Sequence, residues 1–423
     1  MKYAYKIRLF IASVIFILAI LGIFGIFYPL KIFDIQFTPV VQKTFADFSI
    51  ITAVLFAGIV LLTLIFGRFY CSLICPFGIF QELAALIFRK KNKTQKNYPV
   101  KYFIAAVCFG VLAGGCAIVI RYLDPYTLFV SAMTLSLAGI VGAVIVLAIV
   151  FFKNRFFCSN ICPVGTILGL LSKYSLNKIY LPKDICVSCG KCATSCPTGS
   201  INPKEKTVDN ETCIKCLRCL DSFPRHGVQY GIEKKEPVKF SLKRRSLILA
   251  SSVVVIFGAA LKAGIEFKNK ISEKISEIIL PPGGISPERF LNKCLNCNLC
   301  AEHCPQKIIK KADNKFGAVY IDYSNSFCKY DCHECSRVCP SGAIKRITLD
   351  EKKKTRIAMA YINNESCTKC GICAIDCPTG AISKKDGEYT VLDASKCIGC
   401  GACKNACKFD AIEIFAVKEQ RVI

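Results

Sequence analysis

The hydrophobic pattern splits the chain into a membrane-like part and a part with short apolar patches set between cysteines, glycines and lysines. Four long apolar runs come first, at residues 9–28, 48–66, 102–120 and 128–152. Each is long enough to cross a hydrocarbon core of ~30 Å as a helix. A fifth run is shorter: sixteen uncharged residues, 246–261, follow Arg244-Arg245 and end at Lys262, below the ~20 residues of a comfortable span. Beyond it, isoleucines recur at helical spacing over 265–280 until PPGG stops them. The pattern predicts a four-helix membrane domain over 1–180, a short anchor or export signal over 241–264, and an amphipathic helix with its linker over 265–285.

Charge at the ends of the runs orients them. Lys2, Lys6 and Arg8, then Arg68 with the basic stretch 89–101, then Lys153, Arg155 and Lys173 fall on one side. The opposite loops hold only Lys31, Asp34, Lys43 and Asp47 in one case and Arg121 with Asp124 in the other. Basic loops stay inside, so the amino terminus and residues 181–240 are expected in the cytoplasm. A fifth crossing then places 265–423 on the extracytoplasmic face of the cytoplasmic membrane. No A-x-A cleavage site follows the fifth run, only Gly258-Ala259-Ala260, so it is expected to remain as an anchor.

The membrane part contains a repeat. GRFYCSLICPFGIFQEL, starting at Gly67, is echoed by NRFFCSNICPVGTILGL, starting at Asn154. Two helices separate the copies, so both CxxxCP motifs emerge on one face. Cys71, Cys75, Cys158 and Cys162 can then converge across a pseudo-two-fold axis on one metal or redox centre. The alternatives are that the Cys-Pro units shape a helix entry, or that the thiols cycle between dithiol and disulfide. Cys108 and Cys116, eight residues apart in the third run, read as small apolar packing.

Cysteine is unusually abundant: there are 29, mostly in CxxCxxC groups, a spacing that points to metal. Cys186, Cys189, Cys192 and Cys196 have the CxxCxxCxxxCP pattern in which three thiolates cap one cubane and the fourth serves a neighbouring cluster. Cys213, Cys216 and Cys219 form its partner, with Phe223 where a fourth cysteine belongs. Cross-ligation leaves the cluster on Cys186, Cys189 and Cys192 incomplete. It is then a three-iron cluster, or one completed by Asp221, Ser222, His226 or a CxxxCP thiol.

Four further motifs follow over 286–423. Cys294, Cys297, Cys300 and Cys304 precede Cys328, Cys332, Cys335 and Cys339, the latter with one inserted residue; Cys367, Cys370, Cys373 and Cys377 precede Cys397, Cys400, Cys403 and Cys407. Short strand pairs are expected between motifs, one turning at Asp386-Gly387. Neighbouring motifs are the expected cross-ligation partners, against a nested first-with-last alternative. The fold class is multi-domain: an α-helical membrane domain of four helices plus one short anchor, with α+β ferredoxin-like dicluster modules at 181–240 and 286–423. Six iron–sulfur clusters, mostly [4Fe-4S], are expected.

The net charge of +26 counts cysteines as neutral, and cluster thiolates offset part of it. No nucleic-acid recognition motif accompanies the lysines. His226, His303 and His333 are the only histidines and none lies in the first 180 residues, which excludes bis-histidine haem in the membrane. No CxxCH site for c-type haem exists either.

Residues 1 to about 235 resemble the NapH family of membrane ferredoxins, related to NosR, through the paired CxxxCP repeats and the dicluster module that follows. Residues from about 240 onward resemble the NapG family of exported polyferredoxins, through Lys243-Arg244-Arg245-Ser246-Leu247-Ile248, the PPGG-to-FLNKC approach and the four motifs. Phe223, Lys408 in place of the usual proline, and the fusion itself depart from those families. The resemblance implies a component of a quinol dehydrogenase that takes electrons from the quinone pool, from menaquinol or a related quinol, to a periplasmic cytochrome or reductase. Asp34, Asp47, Asp124 and Glu82 border the membrane as candidate proton acceptors. The rivals are an assembly factor for a respiratory metalloenzyme and a cytoplasmic ferredoxin:quinone link.

Overall fold

A computed structural model describes residues 3–24, 35–46, 50–88, 97–182, 185–221, 227–232, 244–275, 278–311, 318–384 and 389–423. Asp34, Asp47, Ser222, Phe223, His226 and the Asp386-Gly387 turn lie outside these residues. Two compact units divide between Ala263 and Gly264, with residues 115–118 grouped in the second.

In the first unit α1 (Ala4–Ile23) is a 20-residue apolar helix. The helix α2 (Phe37–Ala46) leads to α3 (Ile50–Phe66), the short α4 (Tyr70–Leu73) and α5 (Pro76–Phe88). The run at 102–120 is not one helix: α6 (Val100–Ala113) stops at Gly114-Gly115 and α7 (Ile118–Leu123) restarts the chain. Gly115 sits at φ +86°, a conformation that ends the helical ladder. The run at 128–152 is also broken, into α8 (Pro125–Met133) and α9 (Leu137–Lys153), bent by 118°.

Two local causes produce that bend. Asp124 caps α8 by accepting the Thr127 N–H, with Pro125 at the first helical position, and Leu135 takes a left-handed φ of 54° between the two helices. The four unbroken spans expected from hydropathy are corrected accordingly. Among the described residues, Ala4–Ile23 and Leu249–Asn269 are long and apolar enough to span, and the bent pair is a third if counted as one. After α9 come α10 (Phe156–Asn160) and α11 (Pro163–Lys173), so α9–α10–α11 repeats the plan of α3–α4–α5.

The fifth run and the amphipathic segment, expected as separate elements, form one helix, Arg244–Ile275, of 32 residues. Lys262 does not interrupt it, and a lone Gly264 costs only ~1 kcal/mol, too little to stop a helix with good formers on both sides.

The first ferredoxin module pairs Asn177–Tyr180 antiparallel with Gln229–Ile232, and Ile201–Asn202 with Thr207–Val208. Ile179, Ile201 and Val228 form its core together with Cys192, Cys196, Cys213 and Cys219. In the second unit the inter-motif strand pairs are Ile309–Lys310 with Tyr320–Ile321 and Ile382–Ser383 with Val391–Leu392. A longer pair, Thr355–Ile362 with Ile412–Val422, flanks them. PPGG is not a loose linker. Gln420 on the last strand donates to the carbonyls of Leu280 and Pro281 at 3.0 and 3.1 Å and accepts the Gly283 N–H at 2.9 Å.

Candidate iron–sulfur sites

The CxxCxxC loops share one backbone device. In five of them the residues on either side of the second cysteine are both left-handed: Ser188 and Gly190, Lys215 and Leu217, Asn296 and Asn298, Lys369 and Gly371, Gly399 and Gly401. Such turns aim successive N–H groups into a concavity that favours negative charge. The Asn296 N–H accordingly points at Cys294 Sγ at 3.4 Å. For Lys215 and Leu217, which carry a Cβ, the conformation costs roughly 1–2 kcal/mol each, so something in the loop must repay it. The run with the inserted residue turns differently, with His333 at φ −138°.

The thiols gather in groups of defined membership. Cys213, Cys216 and Cys219 each lie within electrostatic reach of Cys196, while Cys192 faces Cys186 and Cys189. In the second unit Cys300 faces Cys294, Cys297 and Cys339, and Cys335 faces Cys328, Cys332 and Cys304. Cys373 faces Cys367, Cys370 and Cys407, and Cys403 faces Cys397, Cys400 and Cys377. The groups therefore join neighbouring motifs, not nested ones. Hollows sit inside them: one is lined by Cys367, Cys370, Cys373 and Cys407, another by Cys294, Cys297, Cys300 and Cys339. A third has Cys186, Cys189 and Cys192 on its wall, beside Gly227 and Val228.

This donor set fits a multi-iron cluster. Among the described residues no three His, Cys, Asp or Glu close on the position of a single ion, and all 29 cysteines are free thiols. Burial pushes the thiol of Cys216 up to about 12, that of Cys403 to about 12 and that of Cys328 to about 11. Thiols so reluctant to ionise in isolation become thiolates on a metal, whose own charge reverses the local balance. When bound, a cluster supplies one-electron redox chemistry.

Hydroxyls at a fixed offset complete three groups. Thr198 Oγ1 lies 3.5 Å from Cys196 Sγ, Ser341 Oγ 3.8 Å from Cys339 Sγ and Thr379 Oγ1 3.6 Å from Cys377 Sγ. The signal was in the sequence as Cys-Pro-Thr/Ser-Gly; Cys407, followed by Lys408, lacks it. His303, next to Cys304, pairs its Nδ1 with the carbonyl of Leu299 at 2.9 Å.

In the first unit Cys71, Cys75, Cys158 and Cys162 come together: Cys162 is within reach of the other three, and Cys75 of Cys71 and Cys158. Cys71 rides on α4 and Cys158 on α10, while Cys75 and Cys162 precede the prolines that open α5 and α11. Cys162 Sγ accepts the Gly165 N–H at 3.3 Å, and Cys75 accepts that of Gly78 in the same way. A Cβ on Gly78 would stand 2.4 Å from the Cys71 carbonyl, and one on Gly165 2.3 Å from that of Cys158. The motif is therefore Cys-Pro-x-Gly in both copies for one steric reason.

Motif reading missed the arginines three residues before each first cysteine. Arg68 and Arg155 are both 0% exposed. Arg68 Nη2 donates to the carbonyl of Cys158 at 2.8 Å, and Arg155 Nη1 to that of Cys71 at 3.2 Å, so each repeat's arginine holds the other repeat's cysteine. Their identical offset was the available signal. Glu82 takes Arg155 Nη2 at 2.8 Å on one oxygen and forks with Arg8 at 2.5 and 2.9 Å. Cys108 and Cys116 are buried and stand outside the groups described above.

Comparison with known proteins agrees with this chemistry. Residues 48–95 and 135–182 each match a family described as a 4Fe-4S binding domain, as do 179–202 with a second such family. Residues 293–343, 327–381 and 366–412 match 4Fe-4S dicluster domains. The putative electron transport protein YccM of Escherichia coli is 24% identical over 54% of this chain and 70% of its own length. The protein NirI of Paracoccus denitrificans is 29% identical over 39% of this chain and 26% of its own length. The methylamine utilization ferredoxin-type protein MauM of Methylophilus methylotrophus is 30% identical over 37% of this chain and 76% of its own length. With several 4Fe-4S domains and that relative, the chain belongs to the MauM family of ferredoxin-type proteins and is an iron–sulfur electron-transfer protein related also to NirI and YccM.

Proposed function

We propose that the protein is a membrane-bound quinol-oxidising electron carrier of the NapH and NapG type, in which both roles share one chain. Quinol gives electrons to the CxxxCP quartet, and the ferredoxin groups carry them to a reductase or cytochrome outside the cytoplasm. The observation that carries the reading is the placement of the quartet against the first ferredoxin module: the Arg155 N–H donates to the carbonyl of Pro197, next to Cys196, at 3.4 Å. A redox site at the membrane thus adjoins the start of a chain of clusters.

Of the four acids proposed to receive quinol protons, Glu82 is neutralised by Arg8 and Arg155, and two lie outside the described residues. Asp124 remains. It is 1% exposed, and its carboxylate is held by Thr38 Oγ1 and by the N–H and hydroxyl of Thr127. Close by, Tyr70 donates to Gln36 Oε1 at 2.8 Å and accepts the Phe37 N–H at 3.0 Å. On α2, one turn beyond Thr38, the buried amide of Gln42 has no hydrogen-bond partner among the described residues. We assign this polar patch to the quinol head group, with Asp124 as proton acceptor.

Anaerobic reconstitution with a menaquinol analogue tests the reading: the cluster absorption bands should bleach in the wild type, and far more slowly in Asp124→Asn and in Cys71→Ser/Cys158→Ser. A protein with full cluster content that no quinol reduces would sink it, and would leave an assembly factor as the better account. Thiol labelling of intact spheroplasts tests the side assigned to residues 265–423. Cys370, exposed, should react from outside in cluster-free protein.

A further inference from the structure

Between the CxxxCP quartet and the nearest ferredoxin thiols lies a buried cluster of positive charge. Arg8, Arg68 and Arg155 are 3%, 0% and 0% exposed, and Glu82, at 1%, pairs with Arg8 and Arg155. With Arg218 also within electrostatic reach of Glu82, the described guanidiniums outnumber that carboxylate and leave positive charge in excess. Glu211, the other buried acid close by, is taken up by Lys101 and by Tyr102, whose hydroxyl donates to it at 2.5 Å. Buried charge of that size is costly unless an anion accompanies it. Among the described residues the Nε–H groups of Arg68 and Arg155 also lack partners, so each guanidinium still has a donor to give.

The groups facing this surplus are cysteines. Arg155 lies within electrostatic reach of Cys158, Cys216 and Cys71, and Arg68 within reach of Cys158 on one side and Cys213 on the other. Four thiolates on a cluster supply the missing negative charge. Arg68 also forms a physical link. Its Nη2 donates to the Cys158 carbonyl at 2.8 Å and its Nη1 to the Glu211 carbonyl at 3.0 Å, two residues before Cys213. One planar guanidinium thus joins the backbone of the quartet to the backbone of the neighbouring cluster loop. Lysine, a point charge, has no such fork.

We propose that Arg68 and Arg155 are positioning residues that hold an anionic four-thiolate centre on Cys71, Cys75, Cys158 and Cys162, with Arg68 the hydrogen-bonded bridge from it to the cluster on Cys196, Cys213, Cys216 and Cys219. The proposal rests on the reading of the quartet as a redox centre. One electron leaves one centre as the other gains it, and no bond or proton is exchanged across Arg68.

The test uses full-length protein purified anaerobically in detergent, as wild type, Arg68→Lys, Arg68→Met and Cys71→Ser/Cys158→Ser. Iron per chain, midpoint potentials by paramagnetic resonance, and the rate of one-electron exchange after flash reduction are measured. Arg68→Met should keep its ferredoxin signals while the potentials of both adjoining centres fall, because a reduced, more negative centre loses its counter-charge. Arg68→Lys should keep those potentials and slow exchange about tenfold or more, the usual scale for an outer-shell partner. Fewer irons in the double cysteine variant, with wild-type potentials in Arg68→Met and a wild-type rate in Arg68→Lys, would overturn the bridge alone. Equal iron in wild type and double cysteine variant would overturn the quartet reading and the bridge together. If Arg68→Met does not fold, the Arg68→Lys rate decides.

Discussion

Cys328 donates its backbone N–H to the carbonyl of Cys400 at 2.8 Å, tying the second cysteine run of the second unit to the fourth. Tyr323 reinforces the join: its hydroxyl donates to the Gly399 carbonyl at 2.8 Å, and its ring fills the space where a Cβ on Gly401 would stand, 2.5 Å from Cδ1. The four thiol groups of the unit therefore follow one another in space, with the group containing Cys370 at an exposed end.

Substitutions at that join should be graded by sterics. Tyr323→Phe removes one buried hydrogen bond and should cost about 1 kcal/mol. Gly399→Ala should cost far more, since φ is +69° and its Cβ would lie 2.1 Å from the Ala358 carbonyl. Away from the join, in the first ferredoxin module, Gly190→Ala, at φ +76° with nothing within 4 Å, should cost only the conformational ~1–2 kcal/mol. Denaturant unfolding with iron content read alongside checks the order.

That grading also shows which parts of the molecule were legible beforehand. Ligand runs can be read from the chain because three thiols in one tight loop are a local requirement. Neighbouring runs were the expected partners from their short gaps, but a nested alternative stayed because the pairing depends on loops meeting in space. The broken spans were hidden because hydropathy averages over the single events that break a helix, the φ of Leu135 and the cap at Asp124. Arg68 and Arg155 were written twice at the same offset, but their exchange of partners exists only once the repeats face each other. The fifth run and the amphipathic helix after it were expected as two elements, yet nothing between Lys262 and Ile275 ends a helix.

The hydroxyls beside cluster sulfurs should tune potential. Thr379 Oγ1 stands 3.6 Å from Cys377 Sγ, and hydrogen bonds to sulfur favour the reduced, more negative cluster. A hydrogen bond of about 0.5–1.5 kcal/mol corresponds to roughly 20–60 mV for one electron. Thr379→Val should lower the potential of the group containing Cys377, Cys397, Cys400 and Cys403 by that amount and leave the others alone. A redox titration followed by paramagnetic resonance reads it, and an unchanged potential would show that the contact carries no hydrogen bond.

Acid should loosen one helix end selectively. Thr348 and Glu351 form a capping box at the start of Leu349–Lys354, and the Thr348 backbone N–H, followed by its hydroxyl, holds the Glu351 carboxyl below its ordinary 4.5. A carboxylate held low in the folded state stabilises above its unfolded pKa and loses that contribution as pH falls through the folded one. Amide protection factors at 349–352, which remove the intrinsic pH dependence of exchange, should therefore fall below about pH 4.5 in the wild type. In Glu351→Gln they should be flat across the same window.

Glu82 should be the least replaceable acid of the first unit. Its two oxygens serve Arg8 and Arg155 at once, and all three side chains are almost sealed from solvent. Glu82→Gln leaves two buried guanidiniums without their counter-charge, a loss of about 3–5 kcal/mol. Arg8→Leu should cost less, because Arg155 still neutralises the carboxylate, although the Ser72 carbonyl then loses the donor that stood 2.6 Å away. Salt screens exposed pairs far more than buried ones, so neither difference should shrink when ionic strength is raised. Thermal unfolding in detergent at low and high salt checks both the ranking and the salt independence, and a Glu82→Gln variant as stable as the wild type would show that Arg8 and Arg155 find their counter-charge elsewhere.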